Sequence, residues 1–295
     1  MKPTEPALTR PLGLFGNPVD HSFSPLFMNY ALSLLNLNYH YLAFAIEERN
    51  VETAVHALRI LGFRGANVTI PFKQSVLHHL DHVDGLAKKV GAVNCIVNDE
   101  CTLTGYNTDH TGFIKPLIDR GISINGRRAL IIGAGGAARA VLTGLVDHDI
   151  SHMLLLNRTE RNARSLIDWC TGELHFTHID YGGPPSSLDN KGLHSFDLII
   201  NTTPVGMHPG TGNAPIADGL AFTKHQTVYD LIYNPWETKL LNQARTQGAT
   251  VLNGFEMLIV QGLYSLTYWF PQREEEIVSL QKRIVEYTKQ TITGD

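Results

Sequence analysis

Two ionisable side chains close polar segments that could do proton chemistry. Lys73 ends Asn67-Val68-Thr69-Ile70-Pro71-Phe72-Lys73, a strand end turning through proline into a helix, and Asp109 ends Gly105-Tyr106-Asn107-Thr108-Asp109. Oxidation of an alcohol by hydride transfer needs a group that takes the hydroxyl proton and polar groups that fix the orientation of the alcohol. A lysine and an aspartate suit the first task. Read singly, each has a plainer role: a lysine after a proline turn is ordinarily solvated, and an aspartate at a helix start is ordinarily a cap.

A third segment supplies the other half of such a reaction. The apolar run Ala129 to Ile132 leads into Gly133, Ala134, Gly135, Gly136, Ala137 and Ala138, a G-x-G-x-x-A pattern followed by a helix through Leu145. Gly133 suits the tight turn, Gly135 lets backbone approach a pyrophosphate, and Ala138 lets helix pack on strand, with the phosphates at the helix N-terminus. The next strand, Met153 to Leu156, ends in Asn157, Arg158 and Thr159, where an NAD site usually carries an acidic residue. A guanidinium there can pair bidentately with a 2′-phosphate, and Arg161 adds a second charge, so the cofactor expected is NADP. Otherwise the two arginines are ordinary solvated residues.

The elements that must position these groups fall into two series. Up to Gly105, Leu12 to Phe15, Tyr39 to Ile46, Ala66 to Ile70 and Ala92 to Val97 read as strands, with helices between them. Ser24 before Pro25 reads as an N-cap, and Asn98-Asp99 as a hairpin turn leading to Thr102 to Thr104. Asp109 to Arg120 reads as a helix. From Ala129 the strands Leu130 to Ile132, Met153 to Leu156, Leu198 to Ile200, Thr227 to Tyr229 and Thr250 to Leu252 suggest a doubly wound sheet. Two helical stretches close the chain, Phe255 to Phe270 and Glu274 to Gln290. The expected domains are therefore 1–108, completed by helices in 255–295, and 109–254.

Composition narrows the class. The chain of 295 residues is 43% hydrophobic and 18% charged, with a formal net charge of −4, and it has no Lys/Arg-rich block for nucleic acid. Cys95, Cys101 and Cys170 form neither a CxxC pair nor an even set, which argues against a disulfide framework and fits a reducing compartment. No signal-like or membrane-spanning run is evident, so a cytoplasmic protein without membrane partners is expected. His78 and His82 would share a face of one helix, but Leu77, Leu80 and Val83 make an ordinary amphipathic helix sufficient, and no metal site is expected. Trp169, Trp236 and Trp269 read as packing residues.

The sequence resembles the shikimate dehydrogenase family in separate motifs that run in the family's order from about Leu14 to Trp269. They are Gly16-Asn17-Pro18 with His21 to Pro25, Asn67 to Lys73, Gly91 to Asn94, Gly105 to Asp109 with Gly112-Phe113, the glycine loop at Gly133, and Asn157-Arg158-Thr159. Asn201 to Met207, Asp230 with Tyr233-Asn234-Pro235, and Gly254 with Met257-Leu258 and Gln261 complete the set. The resemblance implies an N-terminal α/β substrate domain and a doubly wound Rossmann-type NADP domain, with the active site in the cleft between them. It implies oxidation of shikimate to 3-dehydroshikimate, or the reverse, with NADP, in chorismate and aromatic amino-acid biosynthesis. Lys73 and Asp109 would be the catalytic pair, Lys73 as acid/base or its electrostatic support and Asp109 holding the lysine and an adjacent hydroxyl. Ser22 and Ser24, with Tyr233, would bind the substrate carboxylate, and Thr69, Asn94 and Gln261 the ring hydroxyls. Gly133, Ala134, Gly135, Gly136, Ala137, Asn157, Arg158, Thr159 and Arg161 would hold the cofactor, while Leu231 and Gly254, with Met207 nearby, would line the nicotinamide pocket.

Plainer readings stand beside these. Ser22 and Ser24 could cap the helix after Pro25, Asn94 could bond locally in its strand, and Gln261 could lie exposed. A quinate/shikimate dehydrogenase of broader specificity and a non-catalytic NADP-binding sensor are the alternative functions, and the quaternary state is a monomer or a homodimer.

Overall fold

The computed structural model describes residues 8–294. It divides into two compact units, Met1–Gly112 with Ile259–Asp295, and Phe113–Leu258.

The first unit begins with β1 (Arg10–Gly16), α1 (Ser24–Leu34), β2 (Tyr39–Ala45), α2 (Val51–Ile60), β3 (Gly65–Val68), β4 (His82–Val83), α3 (Gly85–Val90), β5 (Cys95–Asp99) and β6 (Thr102–Tyr106). The strands form one sheet in the order β2-β1-β3-β5-β6-β4. It is mixed, because β1 runs parallel to β2 and β3 whereas β5 runs antiparallel to β3 and β6. The buried face of α2, Val51, Val55 and Leu58, packs with Phe15, Phe63, Ala66, Ile96 and Leu103 into one core cluster.

Several local expectations need correction. The hairpin turn is Glu100-Cys101, two residues beyond Asn98-Asp99: both have positive φ, 47° and 70°, which matches the twist a two-residue hairpin requires. Asn98 is buried instead and donates to the carbonyls of Leu58 and Phe63, while Cys101 is exposed at the tip. Ser24 is not a cap. The N-cap position is Phe23, and the Ser24 N–H donates to the Ser22 hydroxyl at 3.2 Å. His78 and His82 do not share a helix, because Ser75–His79 is a short 3₁₀ turn and His82 lies in β4. Asp81 explains the change: its carboxylate accepts from Arg59 and from the Leu103 N–H, which draws the following residues alongside β6.

The chain continues through α4 (Asp109–Asp119), β7 (Arg128–Ile132), α5 (Gly136–Asp147), β8 (His152–Leu156), α6 (Glu160–Glu173), β9 (Ile179–Tyr181), α7 (Asn190–Leu193), β10 (Leu198–Asn201), β11 (Thr227–Asp230), α8 (Lys239–Thr246) and β12 (Thr250–Asn253). In the second unit the strands make an all-parallel sheet ordered β12-β11-β10-β7-β8-β9. Both faces are covered, so its strands are apolar on both sides. Ala129, Ile131, Met153 and Leu155 point into one core, and Leu130, Ile132, Leu156 and Ile199 into another. The short β9 was not anticipated; its three residues are followed at once by Gly182-Gly183 and Pro184-Pro185, which end the strand.

The chain ends with α9 (Phe255–Trp269), α10 (Glu274–Ser279) and α11 (Gln281–Thr293). The expected single helix from Glu274 is divided at Leu280, whose N–H bonds to Ile277 three residues back, a tighter turn that separates two α-helical stretches. Among the described residues, no helix is long and apolar enough to cross a membrane.

Candidate active site

In the first unit, Lys73 and Asp109 meet although they are far apart in sequence. The Lys73 Nζ donates to Asp109 Oδ2 at 2.6 Å, with the side chains 14% and 6% exposed. Lys73 is held by its own backbone, since its carbonyl accepts from the Val93 N–H at 2.7 Å, next to Asn94. Asp109 begins α4 but does not cap it. The start of the helix is bonded by Asn107 instead, whose side chain accepts from the His110 N–H and donates to the Ala92 carbonyl. Asp109 is thereby free to turn both oxygens to side-chain donors, Lys73 on Oδ2 and Asn94 on Oδ1 at 2.9 Å.

Asn94, 2% exposed, organises the rest. Its Nδ2 also reaches Thr108 Oγ1 at 2.9 Å and Gln261 Oε1 at 3.4 Å, and its Oδ1 accepts from the Thr108 N–H at 2.7 Å. Asn94 therefore bonds away from its own strand, and Gln261, on α9, is half-buried rather than exposed. Behind them lies a polar layer to which the sequence reading assigned no role: Asn67, Thr108, Ser265 and Tyr41. Asn67 donates to Ser265 Oγ at 2.7 Å and to the Asn94 carbonyl at 3.0 Å, and accepts from the Tyr41 hydroxyl at 2.9 Å. The available signals were slight, a single asparagine in the buried run of β3 and a single serine in an apolar stretch of α9.

Ser22, Ser24 and Thr69 belong to the same unit. Ser22 is half-buried and Ser24 is 5% exposed. Thr69 follows β3, its N–H bonded to the Phe15 carbonyl and its methyl packed over Gly16, where any Cβ would collide with it. Among the described residues, none of these three hydroxyls bonds to the Lys73, Asp109 and Asn94 cluster. Tyr233 belongs to the second unit.

The glycine loop stands at the carboxyl edge of the second sheet, beside the point where strand order reverses between β7 and β10. Gly133 has φ +106°, and a Cβ there would collide with Thr202 and Thr203, so the close approach it permits is to the loop after β10. Gly135 and Gly136 differ: a Cβ built on either meets nothing within 4 Å, leaving the first turn of α5 open to a ligand. Ala138 is fully buried against the core. The Gly133 N–H bonds to the Leu156 carbonyl at 2.8 Å, which sets the loop beside Asn157, Arg158 and Thr159. Arg158 and Arg161 are exposed and, among the described residues, neither meets a carboxylate, whereas Arg164 pairs with Glu160. Open glycines and unpaired guanidinium groups fit a dinucleotide carrying an extra phosphate.

Leu231 and Gly254 adjoin on the same edge. Gly254 donates to the Ile232 carbonyl, and a Cβ there would overlap the Leu231 carbonyl, so only glycine fits. Met207 is exposed in the loop after β10. Next to this edge Asp230 is fully buried and accepts from Asn201, Thr238 and the Ile232 N–H. No cation is among those partners. Burial pushes its carboxyl up to about 6, against the opposing pull of the three donors.

Comparison with known proteins adds independent findings. Residues 14–96 match a family described as the shikimate dehydrogenase substrate binding domain, and residues 117–203 match one described as shikimate / quinate 5-dehydrogenase. The shikimate dehydrogenase (NADP(+)) of Caldanaerobacter subterraneus subsp. tengcongensis is 41% identical over 261 residues, 88% of this chain and 91% of that protein. A crystal structure of a shikimate dehydrogenase in complex with NADP+ is similar at TM-score 0.86 and 34% identity over 96% of both chains. The shikimate 5-dehydrogenase of Listeria monocytogenes, solved with shikimate and NAD, is similar at TM-score 0.80 and 31% identity, again over 96% of both chains.

Proposed function

The chain belongs to the shikimate dehydrogenase family, and on that premise we propose that it catalyses the reversible reduction of 3-dehydroshikimate to shikimate with NADPH. The observation that carries the reading is the buried Lys73–Asp109 pair, bonded through Asn94 to Gln261.

Both Asp109 oxygens are engaged as acceptors, whereas the Lys73 ammonium has donors to spare. Lys73 accordingly delivers the proton to the substrate oxygen as the ketone becomes an alcohol, and recovers it in the oxidative direction. Asp109 orients the ammonium and holds the neighbouring hydroxyl. Asn94, Gln261 and Thr69 bind ring hydroxyls, and Ser22 and Ser24 donate to the substrate carboxylate. When bound, NADPH supplies the hydride. The loop from Gly133 to Ala137, with Asn157 and Thr159, receives its phosphates and ribose, Arg158 and Arg161 the 2′-phosphate, and Leu231 and Gly254 flank the nicotinamide. Three free cysteines fit a reducing, cytoplasmic setting.

The test follows reduced-nicotinamide absorbance with shikimate or quinate as substrate and NADP or NAD as cofactor, giving kcat/KM for each pair. Turnover chiefly with shikimate and NADP supports the reading. Comparable rates with quinate would move the protein to the broader dehydrogenase, and comparable rates with NAD would remove the assigned role of the two arginines. Cofactor binding without turnover of either acid would leave the non-catalytic sensor.

A further inference from the structure

The polar layer behind the site converges on one atom. Ser265 is fully buried in α9, and its hydroxyl donates to the Gln261 carbonyl at 2.9 Å, accepts from Asn67 Nδ2 at 2.7 Å, and lies 3.4 Å from Thr108 Oγ1. A serine hydroxyl has one proton and two lone pairs, so these contacts exhaust it.

Each partner comes from a different segment, and each segment carries a residue assigned to the substrate. Asn67 precedes Thr69 and Lys73 on the strand and turn that deliver them. Thr108 precedes Asp109, Gln261 lies one turn before Ser265 on α9, and Asn94 is joined to them through its carbonyl, which accepts from Asn67. Core packing alone would hold these segments together, but apolar contacts are non-directional and would tolerate a small slide of α9. A hydroxyl shared by β3, the start of α4 and α9, with Asn67 carrying the link on to the Asn94 carbonyl, fixes their mutual register to hydrogen-bond tolerance.

We propose that Ser265, supported by Asn67, is a positioning residue for substrate binding: it ties the segments bearing Lys73, Asn94, Asp109 and Gln261 into one rigid constellation. Ser265 touches no substrate and acts through Asn94 and Gln261. The inference rests on the substrate roles given above.

The experiment uses the full chain with Ser265→Ala, and with Ser265→Thr, which keeps the hydroxyl. Loss of the hub should raise KM for shikimate about ten-fold while leaving KM for NADP within about two-fold, the size expected from loosening a substrate hydrogen bond. Ser265→Thr should recover most of that loss. Independently of turnover, the side-chain amide NMR signals of Asn94 and Gln261 should move or broaden in Ser265→Ala. Unchanged shikimate KM together with unmoved amide signals overturns the proposal, as does an equal rise in both KM values, which marks general destabilisation. A wild-type enzyme without shikimate turnover is a failure of the functional reading instead, and the amide signals then decide the hub alone. Should Ser265→Ala not fold, Asn67→Asp keeps the shape, removes the donor to Ser265, and is judged by the same readings.

Discussion

Asp109 and Asp230 are both buried carboxylates near the ends of β-strands, yet they are satisfied in opposite ways. Asp109 faces a lysine ammonium at 2.6 Å, so the charges balance inside the first unit. Asp230 faces only an amide, a hydroxyl and a backbone N–H, and its carboxyl is pushed up to about 6. On the same edge of the second sheet, Arg158 and Arg161 meet no carboxylate among the described residues. A closed ion pair is suited to shuttling a proton within a neutral constellation, whereas unmatched guanidinium groups await an anion from outside. The two regions thus differ in how their candidate groups are charged: Lys73 and Asp109 neutralise each other, whereas Arg158 and Arg161 meet no carboxylate among the described residues.

The sharpest attack on this contrast is Lys73→Ala. It should lower kcat by about 10²-fold or more while NADP affinity stays near wild type, because the lost ammonium is the proposed proton donor to the substrate. Steady-state kinetics with a parallel fluorescence titration of NADPH checks both halves, and a near-normal kcat would remove Lys73 from the chemistry. Arg158→Ala should weaken NADP about ten-fold or more and NAD hardly at all, since the guanidinium is the proposed partner of the 2′-phosphate that NAD lacks. Equal losses for the two cofactors would end its assignment.

Asp230 sharpens the comparison through pH. Its folded pKa, about 6, lies above the ordinary 3.8, so the folded state holds this proton more tightly than the unfolded chain does. Its contribution to stability is full below about pH 4 and is lost as pH rises through 6, on the order of 3 kcal/mol for a shift of about two units. Urea unfolding of wild type and Asp230→Asn from pH 4 to 7.5 should give a stability difference that moves steadily in favour of the asparagine variant. A difference independent of pH would show that Asp230 does not titrate there. The smallest effect is expected at Asp84, whose carboxylate caps α3 by accepting from the Leu86 N–H at 2.9 Å. Asp84→Ala should cost about 1 kcal/mol in unfolding free energy and leave kcat unchanged. A change in kcat would mean that α3 helps to hold the site.

What could be read in advance followed from periodicity and local chemistry. The parallel strands of the second unit are apolar on both faces, so Leu130 to Ile132 and Leu198 to Ile200 announce themselves without context. The glycine loop is likewise local, because strand, glycines and helix are contiguous. Lys73 and Asp109 were legible as residues but not as a pair, since their contact spans 36 positions and depends on β3, β5 and β6 pairing as they do. Ser265 and Asn67 were illegible as partners for the same reason: a separation of 198 positions leaves no mark on local spacing. The hairpin turn and the histidine segment were misread where side chains overrode propensity. Asn98 is drawn inward by two carbonyls, and Asp81 straightens the chain that the apolar spacing of Leu77, Leu80 and Val83 had suggested was helical.

The hairpin tip at Glu100-Cys101 has a practical consequence. Cys95 and Cys170 are fully buried with thiols pushed up to about 12, whereas Cys101 is exposed. A maleimide dye or biotin should therefore attach at a single point on the native sequence, without prior removal of other cysteines. The protein carries its own handle for tethering to a surface or for a fluorescent reporter, at a turn none of whose residues has been assigned to the reaction.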